Sequence, residues 1–204
     1  MPPTCGVTHR GELIHQEETM PRGSNSEQKE FTRQCLFDAL MILWEQKPYD
    51  KITITEIARK AGVSRMAFYR NYQTKDELVW DKLKQLNDEY LADLARETDM
   101  RIEDFTVHLY EYVQENAAFM QKAMDAGFGR MMQRLVEDYM AHPDAFKLSN
   151  IDLRAFENAN LRHFIAGGYG SMISRWLAGG MRQSPREIGV EMAGFVKRIT
   201  LMDG

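Results

Sequence analysis

The chain has 204 residues, 44% of them hydrophobic and 27% charged, with a formal net charge of −4, which allows one medium domain or a small domain joined to a larger one. Its two cysteines, Cys5 and Cys35, make neither a disulfide framework nor a metal-ligand spacing, and a reducing, cytoplasmic setting is expected. No run reaches the ~18 apolar residues that span a bilayer, and no HExxH, Walker A or GxSxG motif occurs, so the reading is a protein with no membrane association, no catalytic residues, no metal and no cofactor.

Residues 1–25 mix Pro, Gly, Thr, Ser, Glu and Arg without periodicity and read as a flexible extension, within which Met20 is a candidate start. A helix is predicted from Ser26, because Phe31, Cys35, Leu36, Ala39, Leu40, Leu43 and Trp44 recur at three- and four-residue spacing until Pro48 stops it. Thr53-Ile54-Thr55-Glu56 has the form of a capping box and starts a second helix at Ile54, with Ile57, Ala58 and Ala61 as its inner stripe. Gly62 supplies the left-handed residue that ends it, and Ser64 caps the next helix after a single intervening residue. Two helices so short and so tightly joined, with small residues at the crossing, have helix-turn-helix geometry. Thr74-Lys75-Asp76-Glu77 reads as a second capping box, opening a long helix along Leu78, Val79, Leu83, Leu86, Tyr90, Leu91 and Leu94.

Further helical patterns run over 102–116, 117–126, 130–140, 152–177 and 185–201, with His142-Pro143-Asp144 and Ser149-Asn150 as loops. Gly179-Gly180 ends one helix, and Ser184-Pro185-Arg186-Glu187 caps the last. The fold class is therefore all-α, read as an extension (1–25), a helix-turn-helix unit (26–73) and a helical domain (74–204).

The segment from Lys51 to Lys75 holds Lys51, Arg59, Lys60, Arg65, Arg70 and Lys75 against Glu56, a local +5 in a chain whose remainder carries −9. Such an asymmetry points to a polyanion site on an acidic protein. The helix opening at Ser64 places Arg65, Met66, Ala67, Tyr69 and Arg70 on or near its exposed side while Val63 and Phe68 pack inward. That is the layout of a recognition helix, and a major groove admits one helix whose first residues reach base edges. Arg65, Met66, Ala67 and Asn71 are the candidate base contacts. Thr53, Thr55, Ser64, Tyr69, Arg70, Tyr72 and Lys75 are the candidate phosphate contacts.

The stretch "ITITEIARKAGVSRMAFYRNYQTKDEL", residues 52–78, resembles the DNA-binding segment of the tetracycline-repressor (TetR) family, and the likeness extends back over the helix at Ser26. The recognition helix departs from the common family pattern at Met66-Ala67, where Gly-Thr is more frequent, and at Asn71-Tyr72, where His-Phe is. The operator sequence is not transferable on that account. What the resemblance implies is an all-α homodimer: an N-terminal three-helix head binds a palindromic double-stranded DNA operator, and a divergent helical domain binds a small-molecule inducer and dimerises.

Under that resemblance the aromatic and Met-rich stretch from Met100 to Met140 is the expected inducer pocket. Its candidate residues are Phe105, His108, Leu109, Tyr112, Phe119, Met120, Gln121, Met124, Phe128, Met131 and Leu135, together with His163. The last two helices are the expected dimer face, with Phe164, Tyr169, Ile173, Trp176, Leu177, Met192, Phe195, Val196 and Ile199 as candidates. Gly167, Gly168 and Gly170, each costing ~1 kcal/mol within a helix, lead us to expect a close helix approach there. The function expected is a ligand-responsive repressor. Two rivals stay open: a TetR-like interaction module or co-activator that binds a partner protein, and an enzyme using His108 or His163 in a helical cavity.

Overall fold

A computed structural model of the chain describes residues 25–96, 99–142 and 148–200. The expected N-terminal extension lies outside these apart from Asn25, as do Pro143 and Asp144 of the predicted loop. Among the described residues there are nine α-helices and no strand: α1 Asn25–Gln46, α2 Ile54–Lys60, α3 Arg65–Tyr69, α4 Lys75–Leu94, α5 Ile102–Glu115, α6 Ala117–Asp125, α7 Gly129–Met140, α8 Ala159–Ala178 and α9 Pro185–Thr200. The fold is all-α, as the periodicity predicts. The chain forms two compact units, one up to Lys82 and one from Leu83, so the division falls inside α4.

In the first unit α1 buries Cys35, Leu36, Ala39, Leu40, Leu43 and Trp44, and packs against α2, which packs against α3. Phe68 of α3 has no exposed surface and anchors that short helix in the core.

The α5 and α9 helices form the most extensive pairing of the second unit. They approach so closely that a Cβ on Gly189 would lie 2.7 Å from Cα and 2.8 Å from N of Val107. The close approach expected at Gly167, Gly168 and Gly170 is not made within the chain: nothing lies within 4 Å of a Cβ placed on Gly168 or Gly170, and on Gly167 the nearest atom is the Gln133 side chain at 3.5 Å. Glu103 ties α5 to α9 through Lys197 Nζ at 2.6 Å and accepts from Asn150 Nδ2 at 2.7 Å, while Asn150 Oδ1 accepts the Ile102 N–H at 2.8 Å. Burial pushes the Glu103 carboxyl up, but the hydrogen bonds from Lys197 and Asn150 outweigh it and hold the group at about 2.

Two local differences from the sequence reading have plain causes. The helix predicted over 152–177 is broken at Asn158, whose side chain accepts the N–H groups of Asn160 and Leu161 and so caps α8, leaving a 3-10 turn at Leu153–Glu157. At the start of α4 Thr74 accepts the Glu77 N–H, but Glu77 reaches past it to the Gln73 N–H at 2.7 Å. That leaves half of the expected capping box.

Two predictions arise from the α5–α9 pairing. Gly189→Ala should cost ~1–3 kcal/mol in urea denaturation, since its methyl meets backbone. Gly194→Ala in the same helix, whose nearest atoms are Arg198 guanidinium nitrogens at 3.9 Å, should be neutral or stabilise by up to ~1 kcal/mol. For Glu103 the folded-state carboxyl lies below its unfolded value, so its contribution is complete above pH ~4.5 and fades as pH falls towards 2. The melting-temperature gap between wild type and Glu103→Gln should therefore narrow across that window.

Candidate functional site

The α2–α3 segment is built by its caps. Thr53 Oγ1 accepts the Glu56 N–H, while the Glu56 carboxylate accepts the Thr53 N–H at 3.0 Å and its hydroxyl at 2.7 Å. The same carboxylate takes Lys47 Nζ at 2.6 Å, and this bond, followed by those from Thr53, holds the Glu56 acid at about 2. The one anion of the cationic segment is thus paired by a lysine just past the end of α1 and adds little repulsion to a polyanion. Gly62, at φ 69°, turns the chain while the Val63 N–H closes on the Ala58 carbonyl at 3.0 Å, and Ser64 Oγ accepts the Ala67 N–H at 3.1 Å to start α3. Only a residue without Cβ takes that φ at no cost.

With Phe68 buried beneath it, α3 turns Arg65, Met66, Tyr69 and Arg70 to solvent. Met66 is 69% exposed, unusual for a large apolar side chain. The Arg65 guanidinium lies 5.9 Å from the Tyr69 ring centroid, which links the two on the surface. Arg59 and Thr55 of α2 are exposed as well.

Other predicted contacts are engaged inside the unit. Thr53 and Ser64 serve as caps. Lys75 Nζ donates to the carbonyls of Tyr49 (2.6 Å) and Ile52 (3.0 Å) and lies 4.3 Å from the centroid of the Tyr49 ring. Asn71 Nδ2 donates to the Ala67 carbonyl at 2.8 Å, with its Oδ1 buried and unpartnered, and Ala67 is half-buried. Tyr72 is 4% exposed, its hydroxyl donates to Asp81 at 2.7 Å, and Arg33 lies over its ring. Burial, then the Asp81 hydrogen bond, raises its hydroxyl pKa. That position is a packing position, which the sequence could not separate from a phosphate contact because both use an aromatic.

The second unit contains an apolar cavity of about 70 Å³ lined from α4 (Asn87, Tyr90, Leu91), α5 (Ile102, Phe105, Leu109), α7 (Val136, Tyr139, Met140), α8 (Ile165, Tyr169), α9 (Val196), Leu148 and Phe156. Phe105 and Leu109 are the predicted pocket residues that line it. His108, Tyr112, Phe119, Met120, Gln121, Met124, Phe128, Met131, Leu135 and His163 do not. His108 stacks on Tyr90, which does line it, with ring centroids 5.4 Å apart. The His108 Nδ1 and Gln121 Oε1 atoms are buried without a hydrogen-bond partner. His163 is exposed and pairs with Glu137 of α7 at 2.7 Å. Tyr169 and Val196, predicted for the dimer face, line the cavity instead. Tyr90 and Leu91 stood in the α4 stripe, but a stripe does not say which neighbour it meets.

Of the predicted dimer-face residues, Phe164 and Phe195 are exposed and Ile199 half-buried; Tyr169, Ile173, Trp176, Leu177, Met192 and Val196 are buried within the chain. Val190 is a further exposed apolar residue on α9, missed in the sequence. No group of three His, Cys, Asp or Glu suited to a metal ion occurs among the described residues. Nor is any described helix long and apolar enough to cross a membrane.

These features coincide with known protein families. Residues 36–80 match the bacterial regulatory proteins of the tetR family, and residues 100–198 match a transcriptional regulator C-terminal region. The chain belongs to the TetR family. It is similar to an uncharacterized HTH-type transcriptional regulator of Haemophilus influenzae, 33% identical over 82 residues and 40% of each chain. It is also similar to the transposon Tn10 TetC protein of Escherichia coli, 30% identical over 99 residues, 45% of this chain and 50% of that one. The matches thus span half or less of those relatives. Among solved structures, the dihydroxyacetone kinase operon activator DhaS overlays with a TM-score of 0.60 at 18% identity, covering 84% of this chain and 97% of its own. A tetR-family transcriptional regulator from Streptomyces coelicolor gives 0.53 at 17%, covering 85% and 90%. At such identities the likeness is one of fold.

The internal bonds of Lys75 separate it from the surface cations. Lys75→Met should cost ~1.5–3 kcal/mol in urea denaturation, the range for hydrogen bonds to a charged group, whereas Arg70→Met should stay within ~0.5 kcal/mol of wild type.

Proposed function

We propose that this chain is a transcription regulator that binds an operator as a homodimer and is released from it by a small molecule held in the second unit. The observation that carries the reading is the surface of α3, where Arg65, Met66, Tyr69 and Arg70 stand in solvent over a buried Phe68. An exposed methionine at the start of a capped helix is costly in water and useful against a thymine methyl, and an adjacent arginine suits a guanine edge. In this reading Thr55, Tyr69 and Arg70, all exposed, meet phosphates, and the pairing of Glu56 with Lys47 offsets the opposing charge.

A five-residue helix reads few base pairs, so specificity requires two copies related by a two-fold axis. Support for a second copy comes from Phe164, Val190 and Phe195, exposed on α8 and α9, and from Gly168 and Gly170, where an added Cβ has no described neighbour within 4 Å beyond its own helix backbone. The cavity supports an effector: α4 begins in the first unit and supplies Asn87, Tyr90 and Leu91 to the wall. An effector that prefers the form unable to bind DNA lowers operator affinity ~100-fold with only ~2.7 kcal/mol of differential binding.

Selection from a random DNA pool should enrich an inverted repeat. On that DNA Arg65→Ala should lose ~1–3 kcal/mol of discrimination at one base pair of each half-site, while Arg70→Ala should weaken all sequences alike and lower the salt slope by about 1 per subunit. No enrichment over the starting pool would reject the reading.

A further inference from the structure

The wall of the cavity carries no charge near neutral pH. None of its residues is Asp, Glu, Lys, Arg or His. Its ionisable members are Tyr90, Tyr139 and Tyr169, and burial pushes all three hydroxyls up, those of Tyr139 and Tyr169 to about 12. A carboxylate or ammonium entering this space would leave water with no counter-charge to meet it, the costliest way to bury an ion.

The polar side chains of the wall are the Asn87 amide at its partly exposed end and the hydroxyls of Tyr90, Tyr139 and Tyr169, and at the buried end the chemistry has a direction. Thr106 Oγ1 donates its proton to the Ile102 carbonyl at 2.8 Å, so the 3.1 Å contact between Thr106 and the Tyr169 hydroxyl is a donation by Tyr169. With its proton committed, the Tyr169 oxygen keeps acceptor capacity only. Its natural complement is an uncharged donor. At the other end Asn87 and Leu91 of α4 are partly exposed, whereas Ile102, Phe156, Ile165 and Tyr169 are buried, so the cavity deepens inward from α4.

Size narrows the class further. A volume of about 70 Å³ is roughly half the ~150 Å³ of an engineered core cavity that takes up benzene. An aromatic ring is too bulky for it, and a slim alkyl chain entering end-on is the better match. Met140 in the wall is the side chain most able to adjust along such a chain.

We propose that the cavity takes an uncharged alkyl chain bearing a single hydroxyl group, a small aliphatic alcohol, whose hydroxyl donates to the Tyr169 oxygen. The assignment rests on the reading of this cavity as the effector site. It adds the ligand's class, its charge and the residue that orients it.

The test is calorimetric titration of the full chain, without DNA, with three probes of equal chain length that match the volume: 1-propanol, propanoate and propylammonium. The alcohol should bind at least tenfold more tightly than either ion. Tyr169→Phe should weaken it by roughly 2- to 10-fold, the worth of one neutral hydrogen bond, and leave binding of the ions where it was. Filling the space with Ile165→Trp, or with the milder Val136→Phe if the first does not fold, should abolish binding of the alcohol. An ion that binds as tightly as the alcohol, an alcohol indifferent to the filling variant, or no binding of the alcohol at all would each overturn the proposal. Operator binding by the same preparation is measured separately. Intact DNA binding without alcohol binding removes the ligand class and leaves the regulator standing; the converse removes the regulator and leaves the ligand site.

Discussion

An isolated helix shorter than ~12–15 residues is marginal in water, and α2 and α3 have seven and five. Their existence depends on what is done at their ends and beneath them. Thr53 and Glu56 satisfy the first N–H groups of α2, Gly62 lets the chain turn at once, and Ser64 satisfies α3. Phe68 then pins α3 by burying its whole ring. Because one inward residue suffices as anchor, the rest of α3 is released from packing duty, and this leaves Arg65, Met66, Tyr69 and Arg70 on the surface. A longer helix would have needed a wider apolar stripe. The shortness of α3 is thus the source of its dense exposed surface.

The same economy governs charge. The segment is cationic by count, but the cations in and just before it divide into two kinds of work. Lys47 neutralises Glu56, and Lys75 gathers the carbonyls of Tyr49 and Ile52 that follow the end of α1. Arg59, Arg65 and Arg70 remain on the exposed side. Interior cations make the scaffold tolerate the exposed ones, since an unpaired Glu56 would offset one of them and loose carbonyls would present further negative dipoles. Composition reports the sum of these roles and cannot apportion them.

In the second unit the organising constraint is the contact of α5 with α9 at Val107 and Gly189. Backbones that close bring the remainder of both helices into register, and Glu103 with Lys197 and Asn150 fixes one end of the pair. Apolar residues from α4, α5, α7, α8 and α9 then meet around a space they do not fill. A well-packed core has few voids larger than a water molecule.

Most helix positions, the caps of α2 and α3 and the turn at Gly62 were legible in the sequence because they obey local rules: apolar spacing, a hydroxyl at the N-cap, a glycine where φ is positive. So were the all-α class and the family. The outward set of α3 was legible for the same reason, since five residues leave little choice of face. Tertiary structure decided what local rules leave degenerate. Tyr72 turned inward and Tyr69 outward although both are tyrosines three residues apart, and the cavity is lined by Tyr90 and Tyr169 rather than by most of the aromatic and methionine residues of α5–α7. Within the chain the closest approach is made at Gly189 of α9 and not at the glycines of α8. In each case the outcome turned on which helices meet, and a helical stripe records only that a face is buried.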